Sequence, residues 1–244
     1  MTNTLRVAMW SGPRNVSTAL MRAFGSRADT VVCDEPLYAY YLEQTGFEHP
    51  MAAEIIARHE SDWRAVARWL QGPLPEGKSV FYQKHMAHHL LPDIEREWLR
   101  DFSHAFLIRE PGAMLMSLDA MIPNPTLADT GLPQQVELFE QVARLTGAVP
   151  PVVDSQDLLE DPPGVLAKLC ARMGLAFDTG MLSWEPGLRE TDGCWAEAWY
   201  GKALASTGFG PHRARTRPVP ARMAALEREC AGLYERLHEH RIVA

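Results

Sequence analysis

Residues 5–24, LRVAMWSGPRNVSTALMRAF, carry the decision on the fold. Leu5, Val7, Ala8, Met9 and Trp10 form a short, almost unbroken apolar run, which predicts a strand buried on both faces. Ser11-Gly12-Pro13 ends it. Beyond the turn, Val16, Leu20 and Phe24 recur at helical spacing with Ala19 and Ala23 beside them, so the helix that follows packs one face on a sheet. A strand, a loop and a helix N-terminus in that order make an anion site, because first-turn N–H groups lack intrahelical partners and the macrodipole adds positive charge there. Arg14 contributes a cation, and Ser17 and Thr18 contribute hydroxyls. Against the template G-x-x-x-x-G-K-[ST], Gly12 fits, but Ser17 and Thr18 stand where the second Gly and the Lys belong, so this is not a Walker A loop. A plain helix N-cap by Asn15 or Ser17 accounts for the same residues without a ligand.

Four more short apolar runs follow, at 30–33, 79–82, 104–108 and 150–154, separated by helical patterns. Five buried strands alternating with helices predict an α/β three-layer sandwich with a mainly parallel sheet and a ligand crevice at the strand carboxyl ends. With 244 residues, 46% hydrophobic and 23% charged, and no shift of composition, the chain reads as one domain over 1–244. A net charge of −7 and a pI near 5.7 argue against nucleic acid as a partner, so an anionic ligand must be held by local charges. Cys33, Cys170, Cys194 and Cys230 are scattered without a C-x-x-C pair, which suits reduced thiols. The absence of a signal-like segment or a membrane-length apolar run gives the expectation of a soluble cytoplasmic protein with no membrane partner.

Several side chains fall at predicted strand ends. Asp34 and Glu35 close the second strand, where one could act as a general base or as a Walker-B-like Mg²⁺ ligand, or simply cap a turn or pair with Arg14. Tyr38, Tyr40 and Tyr41 come next and line a pocket or fill the core. Residues 51–70 keep helical spacing through Ile55, Val66 and Trp69. Lys84 and His85 end the third strand; His85, His88 and His89 would share a metal-binding face if that run were helical, or else form a solvated capping cluster. The fourth strand delivers Arg109 into a helix, where Glu110 or Asp119 could neutralise it. Residues 121–133 read as a surface loop or lid before a helix at 135–145. A further helix runs from Asp157 to Met173 and closes on Gly174. Trp195 reads as core. Met223, Leu226, Cys230, Leu233 and Leu237 mark a terminal amphipathic helix that covers the sheet or a partner chain.

Pro13-Arg14-Asn15-Val16-Ser17-Thr18 resembles the 5′-phosphosulfate loop of PAPS-dependent sulfotransferases, Pro-Lys/Arg-Ser-Gly-Thr-Thr ahead of a helix, with Val16 in place of the family's Gly. Arg109, Pro111 and Ser117 match the family pattern Arg-x-Pro-x-x-x-x-x-Ser, which holds the 3′-phosphate of the nucleotide. An Arg fork and a hydroxyl two turns into the helix suit phosphate oxygens. Gln83-Lys84-His85 is similar to the family strand ending in Lys-Thr-His, whose His removes the acceptor proton, although the Thr is absent here. Residues 157–162 resemble the Glu-Asp-Leu-x-x-Asp-Pro stretch. Residues 184–209 are similar, without the Lys and first Gly, to the Arg-Lys-Gly…Gly-Asp-Trp loop that closes over the nucleotide. The resemblance extends from Arg6 to about Met181.

It implies a P-loop NTPase-like fold and transfer of a sulfuryl group from PAPS to a hydroxyl or amine of a small acceptor, releasing PAP, with no metal. Gly12, Pro13, Arg14, Asn15, Val16, Ser17, Thr18, Arg109 and Ser117 would bind the nucleotide. Arg14 would neutralise the bridging oxygen, Glu35 or His85 would take the acceptor proton, and Lys84 would sit among them. Two rivals remain: a P-loop kinase-like phosphotransferase that places Mg²⁺ on Asp34, and an inert protein that binds nucleotide or sulfate without turnover. The motifs leave open the acceptor and the oligomeric state, a homodimer included.

Overall fold

The structure, a computed structural model, describes residues 4–243. At its centre lies β1 (Leu5–Ser11), whose Val7 and Met9 face one side and Ala8 and Trp10 the other, all four fully buried. Strand β2 (Thr30–Asp34), β3 (Val80–Met86), β4 (Ser103–Ile108) and β5 (Val152–Asp154) complete a five-stranded sheet in the order β2-β3-β1-β4-β5. Every pairing is parallel, as the sequence pattern predicts. From β1 the chain crosses to β2 at one edge, returns to β3 beside β1, and then passes over β1 to β4 and on to β5 at the other edge. The order reverses between β1 and β4, and there an open α/β sheet forms its ligand crevice.

Helices cover both faces. On one, α1 (Ser17–Gly25) and α8 (Pro162–Arg172) bury Leu20, Phe24, Leu166 and Leu169 against Met9, Tyr82 and Leu107. On the other, α4 (Trp63–Leu70), α6 (Leu132–Thr146) and α11 (Ala224–His238) bury Val66, Val142 and Leu237 against Trp10 and Phe106. The terminal helix therefore covers this chain's own sheet. Tyr234 on α11 also donates to Asp154 Oδ2 at 2.8 Å, fastening it to the end of β5.

Three sequence expectations change. Residues 51–70 form two helices, α3 (Ala52–Arg58) and α4, parted by an extended His59; Asp62 caps α4 by accepting from Arg64 N, and Trp69 lies 56% exposed. The helix expected from Asp157 is broken at Asp161-Pro162 into α7 (Ser155–Glu160) and α8, because proline has no N–H to continue α7. Residues 80–86 stay extended and 87–89 form a single 3-10 turn, so His85, His88 and His89 share no helical face. Among the described residues no three His, Cys, Asp or Glu side chains gather to hold a metal ion. No described helix is long and apolar enough to cross a membrane.

Candidate active site

The loop from Gly12 to Val16 turns over the carboxyl ends of β1 and β4. Gly12 is obligatory there, since a Cβ would stand 2.3 Å from the Thr130 carbonyl in the segment ahead of α6. Arg14 and Val16 both take left-handed backbone, at φ 65° and 58°. Val16 thus supplies, with a β-branched side chain, the turn that glycine makes without strain, at a cost of about 1–2 kcal/mol. It stands at the N-cap of α1, and no side chain caps that helix. Asn15 instead reaches the Leu107 carbonyl with Nδ2 at 3.1 Å, and the N-cap roles considered for Asn15 and Ser17 are not realised. Ser155 Oγ at the head of α7 pins the turn from behind, 3.1 Å from the Asn15 carbonyl.

On this loop the two arginines singled out in the sequence meet. Arg109, at the end of β4, donates through Nη1 to the Arg14 carbonyl at 2.7 Å. Arg14 donates through Nε to Ser117 Oγ at 2.9 Å, one helix α5 (Pro111–Asp119) later, and through Nη1 to the Trp199 carbonyl at 3.4 Å. The carboxylates that could have neutralised Arg109 are engaged elsewhere. Glu110 caps α5 by accepting from Gly112 and Ala113 N–H, and Asp119 pairs with Arg222. Among the described residues neither Arg14 nor Arg109 has a carboxylate within ion-pair distance. Burial pushes both guanidinium groups below their ordinary values, and for Arg109 the Arg14 charge adds to the push. Two half-buried cations side by side, unpaired, at an uncapped helix N-terminus, form a site suited to a multiply charged anion.

The second centre lies across the sheet at the ends of β2 and β3. Lys84 is fully buried, with Nζ 2.7 Å from Asp34 Oδ1, 2.5 Å from Glu35 Oε1 and 2.7 Å from the Tyr200 hydroxyl. Neither Asp34 nor Glu35 pairs with Arg14. Tyr200 OH accepts from Trp195 Nε1 at 3.0 Å and lies within 3.1 Å of both carboxylates. Burial pushes the Glu35 carboxyl above its usual range, and Asp34 adds to this against the opposing pull of Lys84. Burial opposes the Lys84 charge, yet Asp34 and Glu35 outweigh it and hold the ammonium above its ordinary value. Glu35 itself has φ 40°, so three of the five described non-glycine residues at positive φ sit at strand ends around the crevice.

His85 is the next residue on β3 and therefore points to the opposite face. Its ring stacks on Trp10 at 4.3 Å, its Nε2 lies 3.1 Å from Gln83 Oε1, and burial lowers its pKa to about 3. The imidazole nearest to Glu35 is that of His89, with Nδ1 3.8 Å from Oε2, held between the rings of Tyr38 and Tyr41. Tyr38, Tyr40 and Tyr41 are all buried in the core, Tyr38 and Tyr41 around His89. Tyr200 and Trp195 escape a reading of motifs because each joins the centre through distant packing; Tyr200 is 116 residues from Lys84.

A family model described as a sulfotransferase domain matches residues 5–233. Two curated relatives from Arabidopsis thaliana, branched-chain-amino-acid aminotransferase-like proteins 1 and 2, are 34% and 33% identical over 232 and 233 residues. Each alignment covers 95% of this chain but 41% of the relative, so the chain spans less than half the length of these proteins. Among solved structures, the sulfotransferase domain of the Synechococcus PCC 7002 olefin synthase superimposes with a TM-score of 0.55 at 18% identity, covering 95% of this chain and 96% of the other. A sulfotransferase from Alicyclobacillus acidocaldarius gives 0.57 at 13% identity, covering 98% and 97%. At such identities the likeness shows the shared fold.

Proposed function

Because the chain belongs to the sulfotransferase domain family, we propose that it moves a sulfuryl group from PAPS to a hydroxyl or amine of a small acceptor. The single observation that carries this reading is the meeting of Arg14, Ser117 and Arg109 on an uncapped helix N-terminus with no carboxylate in ion-pair reach among the described residues. PAPS supplies the sulfuryl group as a phosphosulfate and departs as PAP. The first-turn N–H groups of α1, with Ser17 and Thr18, hold the 5′-phosphate end, while Arg109 and Ser117 hold the 3′-phosphate. Glu35 takes the acceptor proton as the acceptor oxygen bonds to sulfur. The bond from sulfur to the bridging phosphate oxygen breaks, and Arg14 neutralises the charge left on that oxygen.

The raised Glu35 pKa suits a base that must hold a proton, and Lys84 and Tyr200 fix its orientation. Asp34 spends its charge on Lys84 rather than standing free for a cation, which weighs against the kinase-like alternative. The test is thermal stabilisation by PAP in the absence of Mg²⁺, followed by transfer of labelled sulfate from PAPS across a panel of alcohols and amines. Stabilisation only by ATP with Mg²⁺ would overturn the assignment. PAP binding without transfer to any acceptor would reduce it to nucleotide binding.

A further inference from the structure

Within the buried centre Glu35 uses one of its two carboxylate oxygens. Lys84 Nζ and the Tyr200 hydroxyl both contact Oε1, at 2.5 and 3.1 Å, and Oε2 has no hydrogen-bond partner among the described residues. Beside Oε2, 3.8 Å away, stands His89 Nδ1. This nitrogen is itself enclosed and without a hydrogen-bond partner, on a side chain only 3% exposed, an arrangement that costs free energy unless a partner arrives. Tyr38 and Tyr41 stack on the ring at 4.5 and 4.6 Å between centroids and hold it in place. Burial, then His88, His49, Lys84 and His85 around it, keeps the imidazole uncharged. With the ring proton on Nε2, Nδ1 turns a lone pair toward Oε2, and two acceptors face each other without a bond. A proton on Oε2 reverses this, because the carboxyl then becomes a donor.

Resting on the sulfuryl-transfer reading, we propose that His89 is a positioning residue for Glu35: as Glu35 takes the acceptor's proton on Oε2, the new O–H donates a hydrogen bond to the neutral Nδ1. The O–H bond of an alcohol acceptor breaks, its oxygen bonds to sulfur, and the bridging S–O bond of PAPS breaks. The proton rests on Oε2, and His89 gains no charge at any point. This hydrogen bond exists only once the proton has moved. It therefore stabilises the transition state more than the ground state, and raises turnover rather than substrate affinity. His85, stacked on Trp10 across the sheet, takes no part.

Two variants of the full chain separate this role from packing. His89→Phe keeps a ring beside Tyr38 and Tyr41 but removes the lone pair, whereas His89→Asn removes the ring but sets a carbonyl oxygen near the place of Nδ1. For sulfate transfer from PAPS, His89→Phe should lower kcat about five- to tenfold, the worth of one hydrogen bond, with KM for PAPS within about twofold. His89→Asn should recover most of that loss. A second readout needs no turnover. With glutamate carboxyls labelled with carbon-13, the Glu35 resonance, identified by its loss in Glu35→Gln, should titrate at a pH lower by about 0.5–1 in His89→Phe than in the parent, because the protonated carboxyl has lost its acceptor. Asp34, Lys84, Tyr38 and Tyr200 act on the same carboxyl and stay unchanged between the two proteins. Stabilisation by PAP verifies that each variant folds. Equal midpoints in the parent and His89→Phe, or a fully active Phe variant beside an impaired Asn variant, would overturn the proposal. A parent chain that transfers no sulfate would overturn the reading beneath it, and the carboxyl titration would still decide the pairing.

Discussion

Glu35 and Arg109 divide the proposed chemistry between a proton and a phosphate, and single substitutions separate the two. Glu35→Gln keeps the shape and the Tyr200 contact but cannot take a proton. Turnover should fall by about 100-fold or more while PAP affinity, measured by calorimetry, stays within about twofold. A variant retaining full turnover would move the base elsewhere, with His89 the nearest imidazole. Arg109→Ala removes a charged donor from an otherwise unneutralised site, and PAP binding should weaken by about 1.5–3 kcal/mol; unchanged affinity would remove the phosphate role. At this scale the sequence is most informative for Arg14, Arg109 and Ser117, since each follows a strand or rides the helix after it, and strand ends are visible in hydropathy. Tyr200 is illegible by the same reasoning. It follows no strand, and it reaches Asp34 only because the 187–200 segment folds back across 166 positions.

Among elements, that returning segment is held by one buried ion pair: Arg22 on α1 donates to Asp192 Oδ2 at 2.6 Å, with both side chains 2% exposed. Asp192 Oδ2 also accepts from Arg189 N at 2.9 Å. Removing the cation leaves a buried carboxylate facing low dielectric, so Arg22→Ala should destabilise the fold by about 3–5 kcal/mol, read as a lower urea midpoint at unchanged m-value. A loss under about 1 kcal/mol would mean that the segment is anchored by Trp195 and Tyr200 instead. Strand β3 shows why element boundaries are harder to read than element types. Hydropathy ends it at Tyr82, whereas the ladder to β1 runs to Met86, because Gln83, Lys84 and His85 each find a buried partner for a polar group that hydropathy scores as a surface signal. Trp69 errs the opposite way: an apolar residue at helical spacing that the structure turns outward.

For the molecule as a whole, neutral histidines held in the interior make stability depend on acid. Burial lowers the pKa of His85 to about 3 and of His88 and His104 to about 4, and holds His89 well below the ordinary value. His104 shows the cause in its bonds: Nδ1 accepts from Trp10 Nε1 at 3.0 Å and Nε2 faces the Leu99 carbonyl at 2.9 Å, so a second ring proton would have to break the Trp10 bond. These groups titrate near 6.5 when unfolded. Below that pH the unfolded chain binds protons that the folded chain refuses, so stability falls as pH falls, by up to about 1.4 kcal/mol per pH unit for each such histidine. Glu35 and Asp154, both raised by burial, act in the opposite sense, since their folded forms take up protons first. Burial lowers His49 and His59 as well, so six histidines outweigh the two carboxyls. Against a typical total of about 5–15 kcal/mol, urea midpoints should drop steeply between pH 7 and pH 5. Midpoints that hold level over that interval would mean that the histidines gain protons without unfolding, through water reaching their rings.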